Sequence, residues 1–228
     1  MIKTRLPKRS SRFLNKDEGY YLTTNAKVML TTLCNQKNLE RLNSTHFAGM
    51  VWRDFILMRK RAHYFLVRNP YDRIVSFYAD KFRQSPLRRT EEQGWQNCQR
   101  IFFAHLKISD NTPFDKVRER FLSVSFEEFI KLLPGLYLID GHLRPQSSLL
   151  RARIKNIPIS GLIKFKRIYR MEKDLSQLGK DLKIDISIKY QVSRHASSEE
   201  YFTPSLRKIV NELYYDDFLL GGYEILIS

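Results

Sequence analysis

The sequence predicts an α/β fold in a single globular domain. Strand-like and helical segments alternate along the chain, and two strand, loop and helix units start near Tyr20 and His63. Of its 228 residues, 43% are hydrophobic and 13% are aromatic, which is enough for one full core and argues against a disordered chain. No internal repeat or low-complexity tract interrupts the pattern.

The unit at residues 63–82, HYFLVRNPYDRIVSFYADKF, carries the clearest candidate site. The apolar run 63–67 predicts a buried strand, and Asn69 as N-cap with Pro70 at the first helical position predicts a helix start. Arg68 lies between them, and a cation beside free backbone N–H groups favours a bound anion such as phosphate. We expect the apolar residues of this helix to face the core and three polar ones to lie on another face: Arg73, Ser76 and Asp80.

The unit at residues 20–42, YYLTTNAKVMLTTLCNQKNLERL, predicts a second anion site. A strand-like start and a turn precede a helix that begins near Thr31 or Thr32, with three leucines on its inner side: Leu33, Leu39 and Leu42. Lys27 and the two threonines would supply one cation and two hydroxyls to an anion at that helix start. The loop contains no glycine, so it is not the GxxxxGK[ST] nucleotide loop, and a lysine near two threonines is also common by chance.

Two further segments are basic. The composition of residues 1–18 predicts a mobile arm, which is either a solvated tail or a segment that attracts an acidic acceptor. The domain itself would then span residues 19–228. Residues 84–120 predict a polar, partly helical insertion. Its basic residues around Trp95 would line a groove for a sugar chain or a nucleic acid strand, or form an ordinary solvated face.

The charge balance favours anionic partners. The chain has 40 Lys and Arg against 24 Asp and Glu, a formal net charge of +16, which suits polyanions, phosphorylated cofactors or a membrane surface. Two cysteines, Cys34 and Cys98, form no CxxC pair and no Cys/His cluster at zinc spacing, so neither a disulfide framework nor a metal site is indicated. Because there is no membrane-length apolar run and no signal-peptide core, we expect a cytoplasmic protein, either free or peripheral on a bacterial membrane.

Together the two anion sites resemble those of the sulfotransferases that use 3′-phosphoadenosine 5′-phosphosulfate (PAPS), and more closely the branch that sulfates carbohydrates. In that family a PKxxxTxW segment binds the 5′-phosphosulfate, and AKVMLTTL at residues 26–33 stands in its place. An RxPxxRxxSxY segment binds the 3′-phosphate, and RNPYDRIVSFY at residues 68–78 keeps both arginines, the proline, the serine and the tyrosine in register. Ala26 stands where the family has proline, and Leu30 stands where it has a small residue.

Other segments extend the resemblance from about Tyr20 to Glu224. HLRPQ at residues 142–146 is similar to the HWxPQ segment of the carbohydrate branch, and YYDDFLLGGY at residues 214–223 is similar to the family's YxxDFxxxGY ending. The resemblance implies a P-loop-kinase-like sulfotransferase fold, with a mainly parallel central sheet flanked by helices and the ligand at the carboxyl ends of the strands.

The resemblance also implies a reaction and a set of roles. A sulfuryl group would pass in line from PAPS to a hydroxyl of a carbohydrate acceptor, a glycan or glycolipid that is itself neutral or acidic, with no metal. His142 would be the general base, since an imidazole titrates near neutrality, although a lone histidine is more often structural. Glu172 is expected to be a structural carboxylate that orders a loop arginine, and it is the reserve candidate for the base. The donor would be held by Lys27, Thr31, Thr32, Arg68, Ser76 and Arg194.

Two other classes of protein stay open at this level. A nucleic-acid-binding protein would account for the net charge and the basic arm, although the resemblance leads us to expect no nucleic acid partner. A relative that binds the donor but has lost catalysis would account for the altered first loop. The sequence indicates neither the acceptor hydroxyl nor the oligomeric state.

Overall fold

The computed structural model describes residues 11–150, 153–154, 157–158, 163–187 and 198–227. These residues group into two compact units. The first comprises the described residues of Met1–Asn69, Gln146–Val192 and Leu219–Tyr223. The second comprises those of Pro70–Pro145, Ser193–Phe218 and Glu224–Ser228.

Seven strands lie in the described part of the first unit. They are β1 (Arg12–Asn15), β2 (Tyr20–Thr23), β3 (Glu40–Leu42), β4 (Ala62–Val67), β5 (Arg153–Ile154), β6 (Ile157–Pro158) and β7 (Phe165–Arg170). Five of them form one sheet in the order β3-β1-β2-β4-β7, and β5 pairs only with β6 in the described chain. Neighbours β2, β4 and β7 run parallel, whereas β1 is antiparallel to both β2 and β3. The predicted α/β class is therefore confirmed, with a mixed sheet in which β1 alone of the five strands is reversed.

The described chain also contains nine α-helices. They are α1 (Leu30–Cys34), α2 (Ser44–Ile56), α3 (Pro70–Tyr78), α4 (Ser85–Arg88), α5 (Asn97–Arg100), α6 (Phe114–Ser123), α7 (Phe126–Leu136), α8 (Leu175–Leu182) and α9 (Pro204–Gly221). A π-helical stretch, Ala79–Gln84, joins α3 to α4. Single 3₁₀ turns follow at Gln146–Leu150 and Ser198–Tyr201.

Alternate side chains of the strands supply cores on both faces of the sheet, as strand geometry requires. On one face Phe13 and Leu22 pack with α1 and α8. On the other face Leu14 and Tyr21 pack with Phe47 of α2. The sheet is thus covered by helices on both faces within the first unit.

Two sequence predictions in this unit were wrong. The predicted mobile arm ends inside the sheet, because Arg12–Asn15 forms β1 and all four of its residues are buried. The predicted helix from Thr31 through Leu42 ends at Cys34, and Glu40–Leu42 is an edge strand paired with β1. In both cases pairing within the sheet overrides the local pattern, which is typical for strands of three or four residues.

The second unit is built on an aromatic core. Phe77 of α3 stacks on Phe129 of α7 at a centroid distance of 5.8 Å, and Tyr78 donates a hydrogen bond to the carbonyl of Val124 at 2.9 Å. Ser125 caps α7 by accepting the N–H of Glu128 at 3.0 Å, as the sequence predicts. Further buried rings complete this core: Phe82, Phe102, Phe121 and Phe126.

The predicted insertion at residues 84–120 is partly helical, with α4, α5 and the start of α6 inside it. Trp95 does not offer a free stacking face there. Its ring is stacked on Phe114 at 4.7 Å and on Phe121 at 5.2 Å. The aromatic groove proposed for this segment is therefore replaced by internal packing.

Candidate active site

The loop between β2 and α1 holds its shape through its own polar groups. Thr24 donates its hydroxyl to the carbonyl of Val28 at 2.9 Å, and the Asn25 side chain accepts the N–H of Ala26 at 2.8 Å. Lys27 and Met29 have left-handed backbone angles, with φ of 68° and 52°. Such angles are unfavourable for residues with a Cβ, so the buried Thr24 and Asn25 stabilise a turn for which other proteins use glycine.

The side chains predicted to bind an anion differ in exposure around this loop. Lys27 is half-buried and Thr31 is exposed, whereas Thr32 keeps only 2% of its surface exposed. Helix α1 begins at Leu30, one residue earlier than predicted, and lasts five residues. Lys27 and Thr31 therefore offer polar side chains at the carboxyl end of β2.

Arg68 connects the two predicted anion sites. It follows the last residue of β4, which runs parallel to β2, and its Nη1 donates to the carbonyl of Lys27 at 3.0 Å. Two cationic residues that follow neighbouring parallel strands thus lie at the same, carboxyl end of the sheet. The sequence placed them 41 residues apart, and only the parallel pairing of β2 with β4 brings them together.

Gln146 holds the backbone of Arg68 on both sides. The N–H of Arg68 donates to Gln146 Oε1 at 2.9 Å, and Gln146 Nε2 donates to the carbonyl of Arg68 at 2.8 Å. Gln146 is fully buried. These two hydrogen bonds extend strand-like backbone pairing one residue beyond the end of β4. The glutamine of the HLRPQ segment therefore positions Arg68. The sequence contains the HLRPQ segment, but no local signal in it indicates this role for Gln146.

Glu172 acts as a structural carboxylate. One of its oxygens accepts the N–H of Asn69 at 2.8 Å, and the other accepts the hydroxyl of Tyr223 at 2.8 Å. Burial and the neighbouring Glu172 carboxylate both raise the pKa of Tyr223, so this hydroxyl stays a donor. Glu172, the reserve candidate for the base, therefore holds the backbone of Asn69, the residue just before α3.

In the second unit Arg73 is fully buried, against the prediction that it lies on a polar face. Its Nη1 donates to the carbonyls of His142 at 3.0 Å and Arg144 at 3.1 Å, and its Nη2 contacts Asp217 at 3.4 Å. Its guanidinium also lies 5.1 Å from the ring centroid of Tyr214. A buried cation needs such partners, and here they make Arg73 the support of the turn that carries His142.

His142 forms a pair with Asp140. Its Nδ1 lies 2.8 Å from Asp140 Oδ1, and the same oxygen accepts the backbone N–H of His142 at 2.8 Å. The imidazole is 39% exposed, whereas the carboxylate is 16% exposed. Burial would raise the pKa of Asp140, but the hydrogen bonds and electrostatic attraction of His142, with that of Lys81, together hold this pKa below its ordinary value.

This geometry suits a proton acceptor. A carboxylate on Nδ1 selects the tautomer with hydrogen on that nitrogen and leaves Nε2 with a lone pair. The ring stays partly open to solvent while its backbone is fixed by Asp140 and Arg73. This arrangement is compatible with a base, and the role of His142 stays a prediction.

Two other residues were predicted to bind the sulfuryl donor, Ser76 and Arg194. Ser76 is 2% exposed, in the middle of α3 between the buried Val75 and Phe77, and its role stays a prediction. Arg194 lies outside the described residues.

No group of three or more potential metal ligands comes together among the residues that the structure describes. In the same part of the chain, no helix is long and apolar enough to span a membrane.

Comparison with known proteins adds one match. The model of the sulfotransferase family matches residues 8–224, which include both predicted anion-binding loops and the turn that carries His142. No curated protein and no solved structure matches the chain significantly. Because the family match covers nearly the whole length, the chain belongs to the sulfotransferase family and is a sulfotransferase.

Proposed function

We propose that this sulfotransferase moves the sulfuryl group of PAPS to a hydroxyl of a carbohydrate acceptor. The hydrogen bond from Arg68 to the carbonyl of Lys27 is the observation that best supports PAPS as the donor. It joins the segment that resembles the family's 3′-phosphate site to the one that resembles its 5′-phosphosulfate site. A donor with phosphate groups at both positions of one adenosine requires two such neighbouring cationic sites.

The donor-binding roles follow the sequence and the exposures described above. Lys27 stabilises the negative charge that builds on the oxygen between phosphorus and sulfur, and Thr31 with Thr32 holds the 5′-phosphate. Arg68 holds the 3′-phosphate, and Ser76 and Arg194 are assigned to the same group by resemblance. Exposure favours Thr31 over Thr32 and Arg68 over Ser76 for direct contact.

The chemical step is an in-line displacement at sulfur. The acceptor oxygen forms a bond to sulfur while the bond from sulfur to the 5′-phosphate oxygen breaks, and adenosine 3′,5′-bisphosphate leaves. The acceptor proton passes to Nε2 of His142, whose Nδ1 is held by Asp140. We propose that no metal takes part, because Lys27 and Arg68 supply the positive charge.

A glycan or glycolipid is the proposed acceptor. The support is the HLRPQ segment, which is similar to the HWxPQ segment of the carbohydrate branch and contains both His142 and the Gln146 that holds Arg68. An acidic glycan would suit the net charge of +16.

A thermal shift experiment tests the donor. Adenosine 3′,5′-bisphosphate should raise Tm, whereas adenosine 5′-monophosphate at the same concentration should raise it much less, since only the first engages Arg68 with a 3′-phosphate. Arg68→Ala should abolish the difference, and the exposed Arg88→Ala should keep it. Equal shifts with the two nucleotides in the wild type would contradict the proposal.

A transfer assay tests the reaction. Labelled sulfate should pass from PAPS to a carbohydrate in a panel of glycans and glycolipids. Nucleotide binding that depends on the 3′-phosphate without transfer to any acceptor would indicate a donor-binding relative that has lost catalysis.

A further inference from the structure

The end of α2 carries an apolar surface that the fold leaves exposed. Five successive or neighbouring side chains there are between 42% and 86% exposed: Trp52, Phe55, Ile56, Leu57 and Met58. Trp52, Phe55 and Ile56 share one face of the helix because they are spaced by three and four residues. The rings of Trp52 and Phe55 are 5.9 Å apart between centroids. These five residues form what we call the α2 patch, and a contiguous cluster of this kind marks a surface for a partner or a membrane.

The segment that carries the α2 patch is held by a partly buried ion pair between Asp54 and Arg61. Arg61 Nη1 donates to both carboxylate oxygens of Asp54 at 2.8 Å, and the hydroxyl of Tyr21 donates to the same carboxylate at 2.7 Å. The N–H of Arg59 also donates to the carbonyl of Asp54 at 2.8 Å. The segment from α2 to β4 is thus fixed at both ends. Its exposed apolar side chains are arranged before any partner arrives, which lowers the entropic cost of binding.

The exposed charges of residues 49–61, the segment that contains the α2 patch, are all positive. Arg53, Arg59 and Lys60 are exposed. The one acidic residue among residues 49–61 is Asp54, which is 5% exposed and paired with Arg61. Tryptophan and aliphatic side chains flanked by cations suit an anionic lipid surface, where the apolar groups enter the headgroup region and the cations meet phosphate groups.

We propose that the α2 patch, together with Arg53, Arg59 and Lys60, docks this enzyme peripherally on an anionic membrane. The patch precedes the first residue of β4, whereas Arg68 follows the last residue of that strand. Docking therefore leaves the Lys27 and Arg68 end of the sheet uncovered. The proposal does not depend on the identity of the sulfuryl donor.

Trp52 provides a direct reporter of docking. The chain has two tryptophans, and Trp95→Phe leaves Trp52 as the single emitter while keeping an aromatic ring between Phe114 and Phe121. With vesicles of phosphatidylglycerol and phosphatidylcholine, Trp52 emission should shift to the blue and be quenched by lipids brominated in their acyl chains. Vesicles of phosphatidylcholine alone should give a much smaller effect, since they carry no net charge.

Paired variants separate the apolar from the ionic contribution. Phe55→Ser with Ile56→Ser should lower the vesicle partition coefficient at least about 10-fold through lost apolar burial. Arg59→Gln with Lys60→Gln should lower it roughly 25-fold, at about 5-fold for each cation removed. The matched controls Leu87→Ser with Leu219→Ser, at side chains 68% and 60% exposed elsewhere, should leave it unchanged. All of these variants should keep the wild-type Tm.

Three results would overturn the assignment. Vesicle binding that is unchanged in Phe55→Ser with Ile56→Ser would reflect only the general attraction of a chain with a net charge of +16. Absence of binding to phosphatidylglycerol vesicles would exclude docking on an anionic membrane. If sedimentation then shows a dimer that the same double variant dissociates, the α2 patch is an interface between two copies of the chain.

Discussion

At the scale of single residues, the pairing of His142 with Asp140 has the most direct chemical consequence. His142→Gln keeps a polar side chain but removes the proposed proton acceptor, so we expect sulfate transfer to fall roughly 10²- to 10⁴-fold. The thermal shift by adenosine 3′,5′-bisphosphate should stay at its wild-type value, because His142 is not assigned to the donor. Single-turnover transfer of labelled sulfate measures the fall. Transfer at the wild-type rate would remove His142 as the base.

Asp140 makes stability depend on pH in a defined direction. Burial would raise its pKa, but the hydrogen bonds and electrostatic attraction of His142, with Lys81, together hold it below the ordinary value of 3.8. A carboxyl with a lowered pKa contributes stability above its unfolded pKa and loses it as pH falls through the folded pKa. The stability difference between the wild type and Asp140→Asn should therefore shrink as the pH falls below about 4. Urea unfolding at several pH values between about 5 and 2 measures this difference, and a difference that grows below about pH 4 would contradict the assignment.

Arg73 shows where residue patterns are insufficient. Its spacing in the helix placed it with Ser76 and Asp80 on a polar face, yet it is fully buried. Its partners lie 69, 71 and 144 residues away along the chain, so no local pattern contains them. Burial of this arginine depends on carbonyls and a carboxylate that other elements bring to it.

Removing that cation should be costly. Arg73→Met should destabilise the protein by about 3–5 kcal/mol, since it leaves Asp217 buried next to Tyr214 without its cation. Urea unfolding of Arg73→Met beside the exposed Arg88→Met measures this. If the two variants are equally stable, the buried contacts of Arg73 do not contribute to folding.

At the scale of elements, the end of β4 depends on a side chain from a distant turn. The side chain of Gln146 forms two hydrogen bonds with the backbone of Arg68, at 2.9 and 2.8 Å, as a neighbouring strand would. The RNP sequence predicted where β4 ends and α3 begins, because N-cap and proline signals are local. The sequence did not indicate what holds that junction.

Gln146→Met tests this hold. It keeps the volume of the side chain but leaves the N–H and the carbonyl of Arg68 without these partners, so we expect a loss of about 2–4 kcal/mol in unfolding free energy. The affinity for adenosine 3′,5′-bisphosphate should fall as well, since Arg68 loses its position. Gln93→Met at an exposed site is the matched control. Wild-type nucleotide affinity in Gln146→Met would show that Arg68 is positioned by other contacts.

At the scale of the whole molecule, the net charge of +16 acts separately from the specific site. Weak, non-specific binding of nucleic acid should follow from it and should fall linearly in log affinity with log salt. Stabilisation by adenosine 3′,5′-bisphosphate should persist at about 200 mM salt, where such binding is much weaker. Arg68→Ala should remove the stabilisation by adenosine 3′,5′-bisphosphate and leave the binding of nucleic acid nearly unchanged. Loss of both effects with the same salt dependence would favour a general polyanion site.

The sequence by itself determined the alternation of strands and helices and the start of α3, and it predicted the two candidate anion-binding segments. Those signals are local: an apolar run, a proline at the first helical position, and a set of spaced polar residues. Only the tertiary structure decided that Arg12–Asn15 is a strand, that Arg68 lies on the carbonyl of Lys27, and that Gln146 and Arg73 are supports. The physical reason is distance along the chain. Arg68 and Arg73 have hydrogen-bond partners 41 to 144 residues away. The strand Arg12–Asn15 is stabilised by pairing with both β2 and β3. These partners meet only when the sheet and its helices are assembled.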